Sequence, residues 1–344
     1  MALPDVISNE QELDEILTRP SQRLIEFFKT LSGDILVLGV AGKMGPSLAI
    51  LAKRASAEAS VTKRVVGAAR FSQSHVREQL TAAGIETVAC DLLDEQSVQG
   101  LPEVENVIYM VGMKFGTSGQ EDATWVVNSY LPGRLTQKFK HSRIVLFSTG
   151  NVYPLTPVLD GGLREADATG PIGEYAQSAL GRERVFQYFC RAQSTPGVIF
   201  RLNYAIALRY GVLLDIAQRV HSQQPIDLAM GHANVIWQGD ANAIALRALE
   251  HAGNPPLVLN ATGPEIVSIR RVAERFAESF GIAPKFEGTE AGTALLSNAG
   301  LCHRLFGYPE VTLDHMIAWT AHWVKIGGPT LAKPTHFEER SGRY

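Results

Sequence analysis

The segment from Asp34 to Ser56 constrains the fold most. Asp34-Ile35-Leu36-Val37-Leu38-Gly39-Val40 is a short, nearly unbroken apolar run, as expected of a strand buried on both faces of a parallel sheet. The glycine turn Gly39-Val40-Ala41-Gly42-Lys43-Met44-Gly45 follows at once, and Pro46 opens a helical stretch to Ser56. Proline suits a first helical turn, where its missing N–H removes no helical bond. The alternation continues. Strands are predicted at 61–70, 85–92, 106–113, 143–149, 197–203 and 256–262, and helices at 74–84, 124–140, 173–193 and 240–252. Strand–helix alternation with short connections predicts an α/β chain built on a doubly wound parallel sheet.

The rest of the chain is organised around that sheet. Leu13, Ile16 and Leu17, then Leu24, Phe27, Phe28 and Leu31, have helical spacing and are parted by Pro20. They predict two short helices, an N-terminal cap over 1–33. Residues 34–203 and 240–262 form the expected sheet domain. Residues 204–239 and 263–326 are less regular and predict a smaller, discontinuous lobe. The polar tail, 327–344, carries Gly and Pro and is expected to be mobile.

Composition narrows the function. Lys and Arg number 32 against 35 Asp and Glu, so the basic excess of a nucleic-acid-binding protein is absent. Hydrophobic residues make up 45% and charged residues 19%, which excludes a disordered acidic chain. Cys90, Cys190 and Cys302 lie far apart, as suits a reducing compartment. The acidic start lacks a signal-peptide pattern, and no apolar run approaches the ~20 residues that span a bilayer. The expectation is a cytoplasmic protein with no membrane partner. The histidines show no metal spacing, so no metal is expected.

The glycine turn carries the first chemical signal. Its G-x-x-G-x-x-G spacing at a strand-to-helix junction brings backbone N–H groups close to a pyrophosphate, with the helix dipole behind them. Gly39, Gly42, Lys43, Met44 and Gly45 are therefore candidate cofactor contacts in a Rossmann-type dinucleotide domain. The second strand ends Gly67-Ala68-Ala69-Arg70, without the acid that would hold a ribose 2′-hydroxyl. Arg70 would pair with a 2′-phosphate, so NADP is favoured, with NAD as the alternative.

Further residues resemble one family. Asp91-Leu92, Asn128 in VVNSYLPG, FSTGNVYP at 147–154, Glu165, Tyr175, Arg201-Leu202-Asn203 and VIWQGDANAIALRAL at 235–249 occur in the order and spacing of the extended short-chain dehydrogenase/reductases. Within these, the chain resembles the NAD-dependent epimerase/dehydratase group from Asp34 to Val324. The resemblance implies that Asp91 and Leu92 border the adenine. It places Val111, Gly112, Met113, Asn128 and Leu202 along the cofactor, and Asn151, Asn203 and Arg209 at the substrate. It puts the catalytic pair on Thr149 and Tyr175, with tyrosinate taking a proton from a substrate hydroxyl. It also implies a homodimer through the helices at 124–140 and 173–193. The substrate would be a sugar, sugar acid or nucleotide sugar oxidised reversibly at a secondary alcohol.

One position departs from the family. Its Tyr-x-x-x-Lys reads Tyr175-Ala176-Gln177-Ser178-Ala179 here. Ionising an ordinary tyrosine at pH 7 takes about 4 kcal/mol, so another cation is wanted. Lys114, in a glycine-bearing loop at 113–119 beyond the fourth strand, is the expected substitute; Arg182, seven residues after Tyr175 and near the same helix face, is another candidate but reads rather as a solvated helix charge. The alternative is an NAD(P)-binding protein without dehydrogenase turnover, a sensor or assembly subunit.

Overall fold

A computed structural model describes residues 3–114 and 119–343. Residues 115–118, the centre of the loop at 113–119, lie outside the described residues. Seven parallel strands form the central sheet: β1 Ile35–Leu38, β2 Val65–Ala69, β3 Glu86–Ala89, β4 Asn106–Tyr109, β5 Arg143–Thr149, β6 Gly197–Leu202 and β7 Leu257–Ala261. Their order is β7-β6-β5-β4-β1-β2-β3. The winding reverses between β1 and β4, which is where open α/β sheets bind ligands.

The apolar run in β1 is explained by its two partners. Ile35 and Val37 pack into one helical layer, Leu36 and Leu38 into the other. Helices α1 Glu10–Leu17 and α2 Gln22–Thr30 precede the sheet, and α3 Gly45–Glu58 follows the glycine turn. Then come α4 Ser74–Ala82, α5 Glu95–Gln99, α6 Glu121–Trp125, α7 Leu131–Lys138 and α8 Gly173–Gln193. The lobe side adds α9 Val212–His221, α10 Gln238–Arg247, α11 Ile269–Phe280, α12 Gly300–Phe306 and α13 Leu313–Lys325. Residues of α2, α3, α10 and α12 cover one sheet face; those of α5, α7 and α8 cover the other.

Three expectations need correction. The helix expected over 124–140 is interrupted by a π-helical turn, Val126–Tyr130, with Pro132 just inside α7. The two cap helices do not act together: Leu13, Ile16 and Leu17 join the lobe core, whereas Leu24, Phe27 and Phe28 join the sheet core. The tail is packed, not loose. Phe337 is 1% exposed in the lobe core, and Arg340 donates to the carbonyls of Ala229 and Thr293. A buried aromatic ring and paired guanidinium outweigh the local Gly/Pro signal.

Candidate functional site

The carboxyl ends of β1, β4, β5 and β6 meet in a cleft of about 400 Å³. The glycine turn forms one wall, with Gly39, Gly42, Lys43, Met44 and Gly45 all lining it. Gly39 has φ +81°, and a Cβ there would come within 2.9 Å of the Val111 side chain. At Gly45 a Cβ would lie 2.2 Å from the Val40 carbonyl oxygen. Only glycine lets the chain leave β1 and enter α3 this tightly. A Cβ at Gly42 would meet only the Gly39 carbonyl oxygen, at 3.2 Å, before standing in the cleft. Met44, the N-cap of α3, makes no side-chain bond to the first-turn N–H groups. These features fit a dinucleotide pyrophosphate at the helix N-terminus.

Opposite this wall stand the end of β5 and the start of α8. Tyr175 shares a hydrogen bond with Thr149, and both face the cleft. The Thr149 hydroxyl also donates to Asn151 Oδ1 at 3.0 Å, which brings Asn151 to the same lining. Leu202 and Asn203 line it from the end of β6. Burial pushes the Tyr175 phenol above the usual tyrosine value, while the Arg182 charge and the Thr149 bond pull it back.

Lysines supply the charge of the cleft. The Lys43 ammonium lies 3.4 Å from the Tyr210 ring centroid, closing the lobe onto the glycine turn. Burial, the Lys114 charge and the Lys333 charge lower its pKa to about 8, against an opposing pull from Asp215. Lys114 also drops to about 8 through burial, again opposed by Asp215. Its ammonium donates to the Thr335 carbonyl at 3.5 Å and stands 6.0 Å from the Tyr204 ring centroid.

Other expected residues fall outside the lining. Arg70 is exposed beyond β2. Asp91 is exposed at the end of β3 and accepts from Leu93 N–H at 2.9 Å, with Leu92 buried beside it. Val111 packs against Gly39. Asn128 is fully buried; it braces the end of β4 through both backbone groups of Met113, each at 2.9 Å. Arg209 pairs with Glu10 and Asp14 of α1, so its charge ties the cap to the lobe. Arg182 corrects the sequence reading: it is 5% exposed and bonded to three amide oxygens.

Several lining residues carry little or no sequence signal, among them Met110, Tyr210, Gln238 and Thr335. Thr335 reaches the cleft only because the tail folds back. Among the described residues, no cluster of three or more His, Cys, Asp or Glu could hold a metal ion. None of their helices is long and apolar enough to cross a membrane.

The sheet, the glycine turn and the facing Thr149–Tyr175 pair define a doubly wound dinucleotide-binding fold with an added lobe. The NAD dependent epimerase/dehydratase family model matches residues 35–260, and the chain belongs to that family. It is similar in fold to a UDP-glucuronic acid 4-epimerase from Bacillus cereus, solved with UDP-glucuronic acid and NAD. Identity there is 18% and the TM-score 0.71, covering 85% of this chain and 99% of that one. A UDP-glucose 4-epimerase from Thermotoga maritima, solved with UDP-glucose, has 16% identity and a TM-score of 0.68, covering 85% and 98%. A third, the UDP-glucose 4-epimerase of Thermus thermophilus with NAD, has 18% identity and a TM-score of 0.67, covering 84% and 97%. No curated protein matches the chain in sequence.

Proposed function

We propose that the chain is a nicotinamide-dinucleotide-dependent oxidoreductase acting reversibly on a secondary alcohol of a sugar, sugar acid or nucleotide sugar. The carrying observation is the Thr149–Tyr175 hydrogen bond, set in the same cleft as the glycine turn. The cofactor, when bound, supplies hydride exchange at its nicotinamide ring. The turn and the N-terminus of α3 hold the pyrophosphate, and Lys43 adds charge beside it. Tyr175 takes the hydroxyl proton, and Thr149 fixes the same oxygen. Asn151 and Asn203 orient neighbouring substrate groups. Lys114 faces an anionic part of the substrate, and the lobe and tail exclude water.

Arg70 and Ala69 support NADP over NAD, because a cation and no acid stand at the end of β2. The relatives cited with a cofactor carry NAD, so this preference rests on the charge argument alone. Assembly as a homodimer is part of the same reading.

A panel of sugars, sugar acids and nucleotide sugars with either cofactor, followed by nicotinamide absorbance, tests the proposal. Turnover that Tyr175→Phe abolishes supports it. A second reading, cofactor binding without turnover, has one observation in its favour: Ala179 is fully buried against Val152 and Tyr153, with no cation of its own. Tight cofactor binding with no turnover across the panel would favour that reading.

A further inference from the structure

We propose that Arg182 is the positioning residue that makes Tyr175 competent as a base, its guanidinium lying under the end of β4 as a fixed positive charge. The proposal rests on Tyr175 being the reactive group of the cleft.

The helix brings the two side chains together. Seven residues of α8 turn through about 700°, within about 20° of two full turns, so Arg182 and Tyr175 share a face. Long helical side chains lean toward the N-terminus, which swings the guanidinium back toward Tyr175. The residues between them on that face, Ser178 and Ala179, are small, and both are fully buried.

The anchoring is specific. Arg182 Nε donates to the Asn128 carbonyl at 3.1 Å, Nη1 to the Phe147 carbonyl at 2.8 Å, and Nη2 to Asn128 Oδ1 at 2.5 Å. These three bonds satisfy donors without cancelling charge, since each acceptor is a neutral amide. A carboxylate at the same place would have neutralised it. Gly112, which lines the cleft, completes the placement: a Cβ there would lie 2.7 Å from Arg182 Nη2. The guanidinium therefore sits directly behind the cleft floor.

Its electrostatic surroundings are accounted for. The next residue, Glu183, is bound to Arg201 in a separate buried pair. From β4, the Tyr109 hydroxyl also feels the Arg182 charge. Tyr210, before α9, interacts with Tyr175, and Thr149 bonds it from β5. Lys114, the substitute expected from sequence, is engaged with the Thr335 carbonyl and lies close to the charges of Lys43 and Asp215. Arg182 is a cation that opposes the effect of burial at Tyr175.

The test is an ultraviolet titration of Tyr175, read as the difference between the intact protein and Tyr175→Phe, alongside the pH–rate profile of any turnover found. Arg182→Met should move the Tyr175 titration upward by about one pH unit or more, leaving about tenfold less tyrosinate at a given pH. The alkaline-rising limb of kcat should move with it, and Arg182→Lys should restore most of the shift. If Arg182→Met does not fold, Asn128→Asp decides the matter: it keeps an oxygen on Nη2 but sets a negative charge against it. The same upward shift is expected there. A titration unchanged in whichever of these variants folds would overturn the proposal. The titration needs no substrate, so a chain that binds cofactor but turns nothing over defeats the functional reading while leaving this inference decided.

Discussion

Asp215 on α9 accepts both the backbone N–H and the hydroxyl of Thr335, at 2.8 and 2.5 Å, and so fastens the tail across the mouth of the cleft. Thr335 is 2% exposed, and its carbonyl in turn accepts from Lys114. Further along, Glu338 pairs with Arg219 at 3.1 Å. The last segment of the chain is thus a wall of the site.

Shortening the chain after Gly328 should leave the sheet domain folded but raise the substrate KM at least about tenfold, with a smaller change in kcat. Phe337→Ala should act similarly and lower stability by about 3 kcal/mol, the usual range for emptying a buried aromatic site. Steady-state kinetics and urea unfolding check the two effects. An unchanged KM in the shortened chain would refute a role for the tail at the substrate.

Lys43 and Lys114, both with pKa values near 8, give the cleft a pH-dependent charge. Below pH 8 both ammonium groups are protonated and attract an anionic ligand; above it that attraction is lost. Binding of NAD(P)⁺, whose pyrophosphate carries two negative charges, should therefore weaken by about tenfold between pH 7 and pH 9.5. The Lys43→Met, Lys114→Met double variant should bind more weakly at pH 7 and show a flatter profile. Calorimetric titration at several pH values gives the answer, and an equally steep profile in the double variant would remove the lysines as its cause.

The parts of this architecture that are legible in sequence are those encoded locally. The apolar run Ile35–Leu38 and the glycines after it specify a buried strand and a tight turn whatever surrounds them. The resemblance to the epimerase/dehydratase family, carried by the order of its motifs, points to Tyr175 and Thr149. Arg182 reads wrongly because a helical arginine is ordinarily solvated, and its burial depends on Asn128 and Phe147, which are 54 and 35 residues away. Thr335 gives no sequence signal at all. Its partner Asp215 is 120 residues distant, and no periodicity in a tail of Gly, Pro and charged residues announces such a closure.

The face formed by α6, α7 and α8 carries Trp125, Tyr130 and Tyr188 at 39%, 58% and 61% exposure. Beside them a groove of about 440 Å³ runs between α7 and α8, reaching Val185 and Phe189. Phe186, by contrast, is fully buried in the sheet core, so the aromatic residues of α8 divide between two roles. A two-fold dimer through this face would cover the exposed rings. Light scattering should give a mass near twice 37.4 kDa. Tyr130→Glu with Tyr188→Glu should shift it toward the monomer. A monomeric wild-type chain at micromolar concentration would contradict the arrangement.

Beneath the cleft, Glu183 and Arg201 form a two-pronged ion pair, 2.6 and 2.9 Å, at 0% and 3% exposure. Ser148 donates to Glu183 at 2.6 Å and Arg201 donates to the Tyr153 hydroxyl at 2.7 Å, joining α8 to β5 and β6. Removing one partner strands the other charge without water. Arg201→Met should therefore cost about 3–5 kcal/mol in urea unfolding, whereas Glu183→Leu with Arg201→Met should recover most of that loss. A double variant no more stable than the single one would show that the pair's charge is not what holds these elements together.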